Sequence, residues 1–242
     1  MKNFSTLFSL ALILFAFTAS SQKLKIEINK DLLAYTEDRI DDFENIQDER
    51  KAQLEDIGIF LMSSLDHHDN FSALFVCTHN SRRSHLADTW FKYGLVYYGI
   101  HSFSSYSGGT EATAFNVNAI DALKRAGFTV DYDMNKENPV VSVSPGNYPV
   151  WNMQSKKYTH KINPKTDFVA IMVCSDADRS CPIVEGAEGR FSLPYNDPRH
   201  YDGTPAMDLQ YDKTVEEIAT EMLYLTNFLK KQQIRQIEIA NK

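Results

Sequence analysis

Short, mainly apolar runs that end abruptly in polar residues restrict the fold of this chain more than any other feature. The two clearest are FSALFVC (71–77) and TDFVAIMVC (166–174). Apolar runs of this length are typical of strands buried on both faces of a parallel sheet. Helical patterns alternate with further strand patterns. The predicted helices cover 84–99, 115–127 and 214–233, and the further predicted strands cover 101–107 and 128–133. This alternation predicts an α/β fold with a mainly parallel sheet flanked by helices.

The chain divides into three predicted parts. Lys2, the apolar residues 7–17 and the small residues 18–21 predict a signal peptide over 1–21, cleaved before Gln22. An uncleaved membrane anchor is the alternative. Residues 22–70 carry amphipathic helical patterns and predict an N-terminal helical extension. Residues 71–242 form the predicted catalytic domain, with a hairpin-like insert at VVSVSPGNYPVWNM (140–153).

The predicted signal peptide implies an exported protein, which in a bacterium is periplasmic. No later segment is apolar enough to span a membrane. The formal net charge of −7 gives no electrostatic support for binding nucleic acid. We predict no metal site and no bound cofactor, since no His or Cys pair has zinc-like spacing. Three cysteines are too few for a disulfide framework at this length, so any functional role for them would rest on reactivity.

Cys77 ends the first apolar run and precedes a polar, arginine-rich turn. Ligands of parallel sheets bind at the carboxyl ends of the strands, which is where this turn would lie. Its backbone N–H groups and the following helix N-terminus would form an anion site and favour a Cys77 thiolate. Arg83 could grip two oxygens of the anion. The predicted oxyanion-binding residues are Thr78, His79, Asn80, Ser81, Arg82, Arg83 and Ser84. A buried core cysteine beside a solvated turn is the alternative.

The segment VCTHNSRRSHLA (76–87) resembles the loop V-C-x-G-N-S-C-R-S of low-molecular-weight protein tyrosine phosphatases and thioredoxin-coupled arsenate reductases. His79 stands where the family usually has Gly, and Arg82 where it has a second cysteine. YSGGTEATAFNVNAIDALKRAGF (106–128) resembles a further stretch of the reductases, and the resemblance covers roughly 71–231. It implies a parallel four-stranded sheet flanked by helices, with flavodoxin-like layering, to which the N-terminal helical extension is added.

CSDADRSCP (174–182) resembles the redox segment of the reductases. The resemblance implies that Cys77 attacks the oxyanion, that Cys174 then attacks Cys77, and that Cys181 resolves the resulting disulfide. An external, thioredoxin-like dithiol would reduce the Cys174–Cys181 disulfide. A static structural disulfide and metal binding by these two cysteines are the alternatives.

Asp197-Pro198, in YNDPRHYDGT (195–204), resembles the general-acid Asp-Pro of the family. An acid is needed to protonate the departing oxygen. Asp202 is a weaker second candidate, and an ordinary Asp-Pro turn is the alternative reading.

The resulting hypothesis is an arsenate-reductase-like enzyme that uses Cys77, Arg83, Asp197, Cys174 and Cys181. A phosphatase that forms a Cys77 phosphocysteine with phosphotyrosine or a small phosphate ester is the second hypothesis, and it needs only Cys77, Arg83 and Asp197. A non-catalytic oxyanion-binding module is the third.

Overall fold

The computed structural model describes residues 26–181 and 183–241. The predicted signal peptide and its cleavage site lie outside these residues. Within the described residues, two α-helices precede the first strand, and seven strands with three further helices between them lead to a long final helix. The helices are α1 (Lys30–Asp41), α2 (Asp48–Ser64), α3 (Arg83–Tyr97), α4 (Val117–Arg125), α5 (Ser175–Ser180) and α6 (Met207–Ala240). The strands are β1 (Phe71–Cys77), β2 (Phe103–Gly109), β3 (Thr129–Tyr132), β4 (Val141–Ser144), β5 (Trp151–Met153), β6 (Phe168–Met172) and β7 (Gly189–Ser192).

A four-stranded parallel sheet with the order β2-β1-β6-β7 forms the centre of the molecule. The register pairs Cys77 with Gly109 and Val76 with Met172, so the carboxyl ends of β1, β2 and β6 meet at one edge. Every residue of β6 and all but one of β1 are buried, as expected for strands covered on both faces. The predicted four-stranded parallel sheet flanked by helices is therefore confirmed.

One strand of the sequence analysis belongs to a different sheet. The pattern at 128–133 forms β3, which pairs antiparallel with β4, and β4 pairs antiparallel with β5. The predicted hairpin-like insert is thus confirmed as part of a separate three-stranded sheet. The fourth strand of the parallel sheet is β7, which is not among the strands predicted from the sequence. Its residues, GRFS, are at most half-buried at the sheet edge, so they lack an apolar run.

The N-terminal helices predicted for 22–70 are present, and they pack into the main core. Leu54, Ile57 and Leu61 of α2 are fully buried at helical spacing, and Leu32 of α1 is buried with them. A Cβ at Gly127 would overlap the backbone at Leu32, and Gly127 has a φ of +102°. This glycine therefore lets α1 approach the end of α4 closely.

The helices in the part of the chain that the structure describes include none with the length and apolar character needed to span a membrane.

Candidate active site

The turn after β1 lies at the carboxyl edge of the parallel sheet and runs directly into α3. Its carbonyl groups accept hydrogen bonds from outside the turn. The accepted pairs are Thr110 N to Cys77 O, Glu111 N to Thr78 O, Thr113 Oγ1 and Ser155 Oγ to His79 O, and Asn116 N to Ser81 O. With these carbonyls held outward, the turn can present N–H groups to an anion at the positive end of α3. The local geometry therefore supports the predicted oxyanion site.

Asn80 is the structural centre of the turn. It is fully buried and has a φ of 45°, a left-handed conformation that asparagine adopts more readily than most residues. Its Nδ2 donates to Ser84 Oγ at 2.9 Å, and its Oδ1 accepts from the Lys156 backbone N–H at 2.9 Å. Among the described non-glycine residues, only Asn80 and Asp167 have positive φ values. His79 therefore takes an ordinary backbone conformation, and the absence of glycine there causes no strain.

The Cys77 thiol lies at the base of this turn. The Cys77 side chain is buried, and its Sγ lies 3.0 Å from Ser84 Oγ. Because Ser84 Oγ already accepts a hydrogen bond from Asn80, its own proton is free to point at the sulfur. The Ser84 hydroxyl therefore directs its hydrogen at the sulfur, the atom that would act as the nucleophile. Ser84, one of the predicted oxyanion-binding residues, thus lies against the sulfur of Cys77.

Arg83 and Asp197 meet across the site although 114 residues separate them. Arg83 Nη2 donates to Asp197 Oδ2 at 2.6 Å, and both side chains are only 12% exposed. Arg83 Nη1 donates to the Tyr195 carbonyl at 2.9 Å. Asp197 also accepts from the Arg199 backbone N–H and begins a short 3₁₀ helix (Pro198–Tyr201). The predicted anion clamp and the predicted general acid therefore form one unit.

Arg82 turns away from Arg83 and contacts a different part of the chain. Its Nε donates to the Tyr211 hydroxyl at 2.7 Å, and its Nη2 donates to Asp202 Oδ2 at 3.1 Å. Tyr211 in turn donates to the second oxygen of Asp202 at 2.8 Å. In this arrangement Arg82 ties the turn to α6 and to the segment after Asp197. A direct part in anion binding stays a prediction for Arg82, as does an acid role for Asp202.

The structure places Cys174 beside the turn and Cys181 one short helix away. Thr78 Oγ1 lies 3.5 Å from Cys174 Sγ, and Cys174 is fully buried. The Cys174 sulfur also accepts from the Ala177 N–H, so it caps the start of α5. Cys181 caps the end of α5, since its N–H donates to the Ala177 carbonyl. All three cysteines are free thiols, and Cys181 is the most exposed of them.

Tyr158, from the segment that follows β5, contacts the third thiol. Burial raises the pKa of Tyr158, and its charge interaction and hydrogen bond with Cys181 act in the same direction. A Cβ at Gly108 would overlap the Tyr158 backbone, so this close approach requires glycine at the end of β2. The segment that follows β5 thus reaches Cys181, a contact that the sequence did not predict.

A family model that describes the low-molecular-weight phosphotyrosine protein phosphatases matches residues 72–236, about two thirds of the chain. The chain belongs to the low-molecular-weight phosphotyrosine protein phosphatase family. The helices α1 and α2 lie before the matched residues. The members of this family are enzymes, and the candidate site described above falls entirely inside the match.

Relatives with curated names include arsenate reductases. Arsenate reductase 2 from Staphylococcus epidermidis is 30% identical over 152 residues, which are 63% of this chain and 93% of that protein. The arsenate reductase of Oceanobacillus iheyensis is 32% identical over 130 residues, 54% of this chain and 76% of that protein.

The solved structures that match include phosphatases. The low-molecular-weight protein tyrosine phosphatase from T. tengcongensis matches with a TM-score of 0.46 and 21% identity, over 64% of this chain and 97% of that one. The YwlE arginine phosphatase from Geobacillus stearothermophilus matches with a TM-score of 0.44 and 19% identity, over 69% and 96%.

His85 is a buried member of the site that the sequence analysis did not select. Its ring stacks on Phe115 with centroids 4.1 Å apart, and its Nδ1 lies 3.2 Å from Ser107 Oγ. Burial lowers the pKa of His85 well below its usual value, and the charges of Lys156 and Lys92 act in the same direction, against a hydrogen bond to the Asn80 backbone. The signal available in the sequence was its position directly after Ser84, in the first turn of α3.

Because His85 stays neutral in the folded chain, it makes stability depend on pH. Below about pH 6.5 the unfolded chain binds a proton that the folded chain does not, so the free energy of unfolding falls as the pH falls. We expect wild type to lose up to about 1.4 kcal/mol per pH unit more than His85→Gln in this range. Urea unfolding between about pH 7.5 and 5 measures the difference, with the exposed His101→Gln as control. Parallel stability curves for wild type and His85→Gln would contradict the expectation.

Proposed function

We propose that this enzyme reduces arsenate through a relay of its three thiols. The observation that carries the proposal is the contact between Thr78 Oγ1 and Cys174 Sγ at 3.5 Å. It puts a second thiol against the residue that follows the nucleophile. The named arsenate reductases that resemble this chain support the same assignment. A phosphatase mechanism would need no second thiol at this position.

The first step uses the site around Cys77. The Cys77 thiolate attacks arsenic(V) and forms an S–As bond, and the departing oxygen leaves as water after protonation by Asp197. Arg83 balances the charge on the remaining oxygens. Binding of the oxyanion requires Arg83 to share or exchange its ion pair with Asp197, which would release the Asp197 carboxyl to take up a proton.

The second step moves two electrons to arsenic. The Cys174 thiolate attacks Cys77 Sγ, an S–S bond forms, and the S–As bond breaks with its electron pair on arsenic, which leaves as arsenite. Cys181 then attacks Cys174 Sγ and releases the Cys77 thiolate. An external dithiol, thioredoxin-like in chemistry, reduces the Cys174–Cys181 disulfide and restores the three thiols.

The last exchange requires α5 to open. Cys174 and Cys181 cap opposite ends of this helix. A helical path from one cap to the other rises about 10 Å along the axis. A disulfide needs Cα atoms within about 7 Å, so α5 has to unwind for the bond to close. The helix has six residues, and only Ala177 among them is buried, which makes opening inexpensive compared with unfolding of the core.

Hydrolysis of phosphate monoesters is the second candidate function. The unit of Cys77, Ser84, Arg83 and Asp197 is complete without Cys174 or Cys181. Cys77 would form a phosphocysteine, and Asp197 would protonate the leaving group and then activate water. The family to which the chain belongs supports this activity.

We also propose, on the sequence of residues 1–21 alone, that the protein is exported to the periplasm. In that compartment the relay needs a reducing partner outside the cytoplasm, since an unattended dithiol tends to oxidise. Mass determination of the N-terminus of protein from a fractionated bacterial host tests the proposal. A chain that starts at Gln22 in the periplasmic fraction would support it, and an intact chain in the cytoplasm would refute it.

A side-by-side assay of the purified, fully reduced protein separates the two candidate functions. One arm measures arsenite release from arsenate with thioredoxin, thioredoxin reductase and NADPH. The other arm measures hydrolysis of p-nitrophenyl phosphate. We expect sustained arsenite release that depends on thioredoxin. Ester hydrolysis with no arsenite release would exclude the reductase and leave the phosphatase.

A further inference from the structure

Arg50 lies in the first turn of α2, outside the residues that match the family, yet it contacts the segment that carries Asp197. Arg50 Nη2 donates to the Pro194 carbonyl at 3.3 Å. The Arg50 guanidinium lies over the Tyr195 ring, 4.8 Å from its centroid. Arg50 Nε donates to Glu221 Oε1 at 2.8 Å. One arginine of the N-terminal extension therefore holds two consecutive residues of the active-site segment.

Glu221 of α6 binds both Arg50 and Tyr195. Its second oxygen accepts from the Tyr195 hydroxyl at 2.6 Å, and its side chain is only 7% exposed. Burial raises the pKa of Tyr195 well above its usual value, with the Glu221 charge acting in the same direction, so the phenol stays a donor. Tyr195 is thus held at its ring face by Arg50 and at its hydroxyl by Glu221, which Arg50 also binds.

The backbone of Tyr195 connects its fixed side chain to Arg83 and Asp197. Its N–H donates to the Val173 carbonyl at 3.2 Å, next to Cys174. Its carbonyl accepts from Arg83 Nη1, while Arg83 Nη2 holds Asp197 two residues further on. A shift of Tyr195 would therefore move one of the two anchors of Arg83 and the chain that leads to Asp197.

We propose that Arg50 is a positioning residue for the general acid and the anion clamp, so that the N-terminal extension is part of the catalytic apparatus. This inference rests on the proposed function insofar as it concerns catalysis. Arg50 touches no reacting atom, and it acts through Tyr195. Without Arg50, Asp197 would sample positions from which it cannot protonate the leaving oxygen.

The test compares Arg50→Met with Arg39→Met. Arg39 of α1 is a matched control because it also lies over a tyrosine ring, at 5.0 Å from Tyr35, and pairs with a carboxylate, Asp42, at 2.8 Å. The side chains of Arg39 and Arg50 are 15% and 17% exposed. The described contacts of Arg39 do not include the segment 194–197.

The readout is the dependence of kcat/KM on the leaving group, because kcat/KM reports the step in which the ester oxygen departs and not the later hydrolysis of the phosphocysteine. Phenolate from phenyl phosphate needs protonation, whereas p-nitrophenolate leaves readily without it. A general acid contributes about 10²–10⁴-fold, so its misplacement in Arg50→Met should lower kcat/KM for phenyl phosphate about tenfold or more. We expect a clearly smaller loss for p-nitrophenyl phosphate and no loss of either in Arg39→Met. Equal losses for both esters, or the same behaviour in both variants, would overturn the proposal.

A second variant and a hydrogen-exchange measurement cover the cases in which the first variant does not fold or the esters are not hydrolysed. If Arg50→Met does not fold, Arg50→Lys takes its place with the same criteria, since lysine keeps the charge near Glu221 but lacks the planar fork. If wild type hydrolyses neither ester, the comparison of leaving groups gives no signal, and if it also reduces no arsenate, the proposed function fails. The positioning role is then judged by hydrogen exchange in residues 193–199, which should quicken in Arg50→Met and not in Arg39→Met. Unchanged exchange would overturn it.

Discussion

Cys77→Ser should lose both activities, with a fall of about 10⁴-fold or more in kcat, as is typical when an enzyme loses its nucleophile. A serine hydroxyl is a far weaker nucleophile than a cysteine sulfur at neutral pH, and the Cys77 sulfur lies 3.0 Å from Ser84 Oγ, ahead of the N-terminus of α3. Arsenite release and p-nitrophenyl phosphate hydrolysis are measured on the same preparations.

The serine side chain nearly keeps the size of the thiol, so the turn should stay intact. We therefore expect Cys77→Ser to retain binding of inorganic phosphate, measured by calorimetry, and a Tm close to that of wild type. Cys174→Ser is the matched control, because it also removes a buried thiol but should preserve ester hydrolysis. If Cys77→Ser retained turnover of both substrates, Cys77 would not be the nucleophile, and the turn would serve only as a binding module.

Cys181→Ser should abolish sustained arsenate reduction and leave ester hydrolysis unchanged. The first two exchanges do not involve Cys181, so the variant should release about one arsenite per chain and then stop as the Cys77–Cys174 disulfide. Ester hydrolysis by the fully reduced enzyme uses the Cys77 thiolate with Arg83 and Asp197, and Cys181 takes no part in it. Arsenite release and p-nitrophenyl phosphate hydrolysis, followed over many turnovers, measure the two effects.

The product of that single turnover can be identified by counting the free thiols of the chain. Wild type has three free thiols, and the stalled variant should have none, because its two remaining cysteines are joined. Ser180→Ala, at the adjacent position of α5, is the control for a local change at the helix end. Normal steady-state reduction of arsenate by Cys181→Ser would refute the three-thiol relay and favour direct reduction of the Cys77–Cys174 bond by the external dithiol.

The parts of the fold that were predictable are those with a strong local pattern. The strands β1 and β6 are mainly apolar, and the helix after Cys77 starts within one residue of its predicted position, at Arg83 rather than Ser84. The edge strand β7 was not predictable, because GRFS is short and only partly buried. The final helix begins at Met207, ahead of the predicted 214, since its first two turns are mostly polar and bury little before Tyr211.

Most residues of the candidate site, but not His85, could be selected from the sequence, whereas the contacts between them could not. Short motifs identified Cys77, Arg83 and Asp197, but the ion pair of Arg83 with Asp197 joins residues 114 positions apart. The partners of Arg82 are also distant in sequence, so its hydrogen bonds with Tyr211 and Asp202 could not be predicted from the sequence. The role of Arg50 depends on how α2 packs against α6, which amphipathic periodicity does not specify.

The outward hydrogen bonds of the turn after β1 have a consequence for selectivity. Because those carbonyls and the left-handed Asn80 are held by the folded chain, the conformational entropy of ordering the turn is lost on folding and not on binding. A turn that is rigid before binding recognises the shape and charge of a tetrahedral oxyanion, which arsenate and phosphate share. Discrimination between the two then falls to the step after binding, where arsenic accepts two electrons from a second thiol and phosphorus does not.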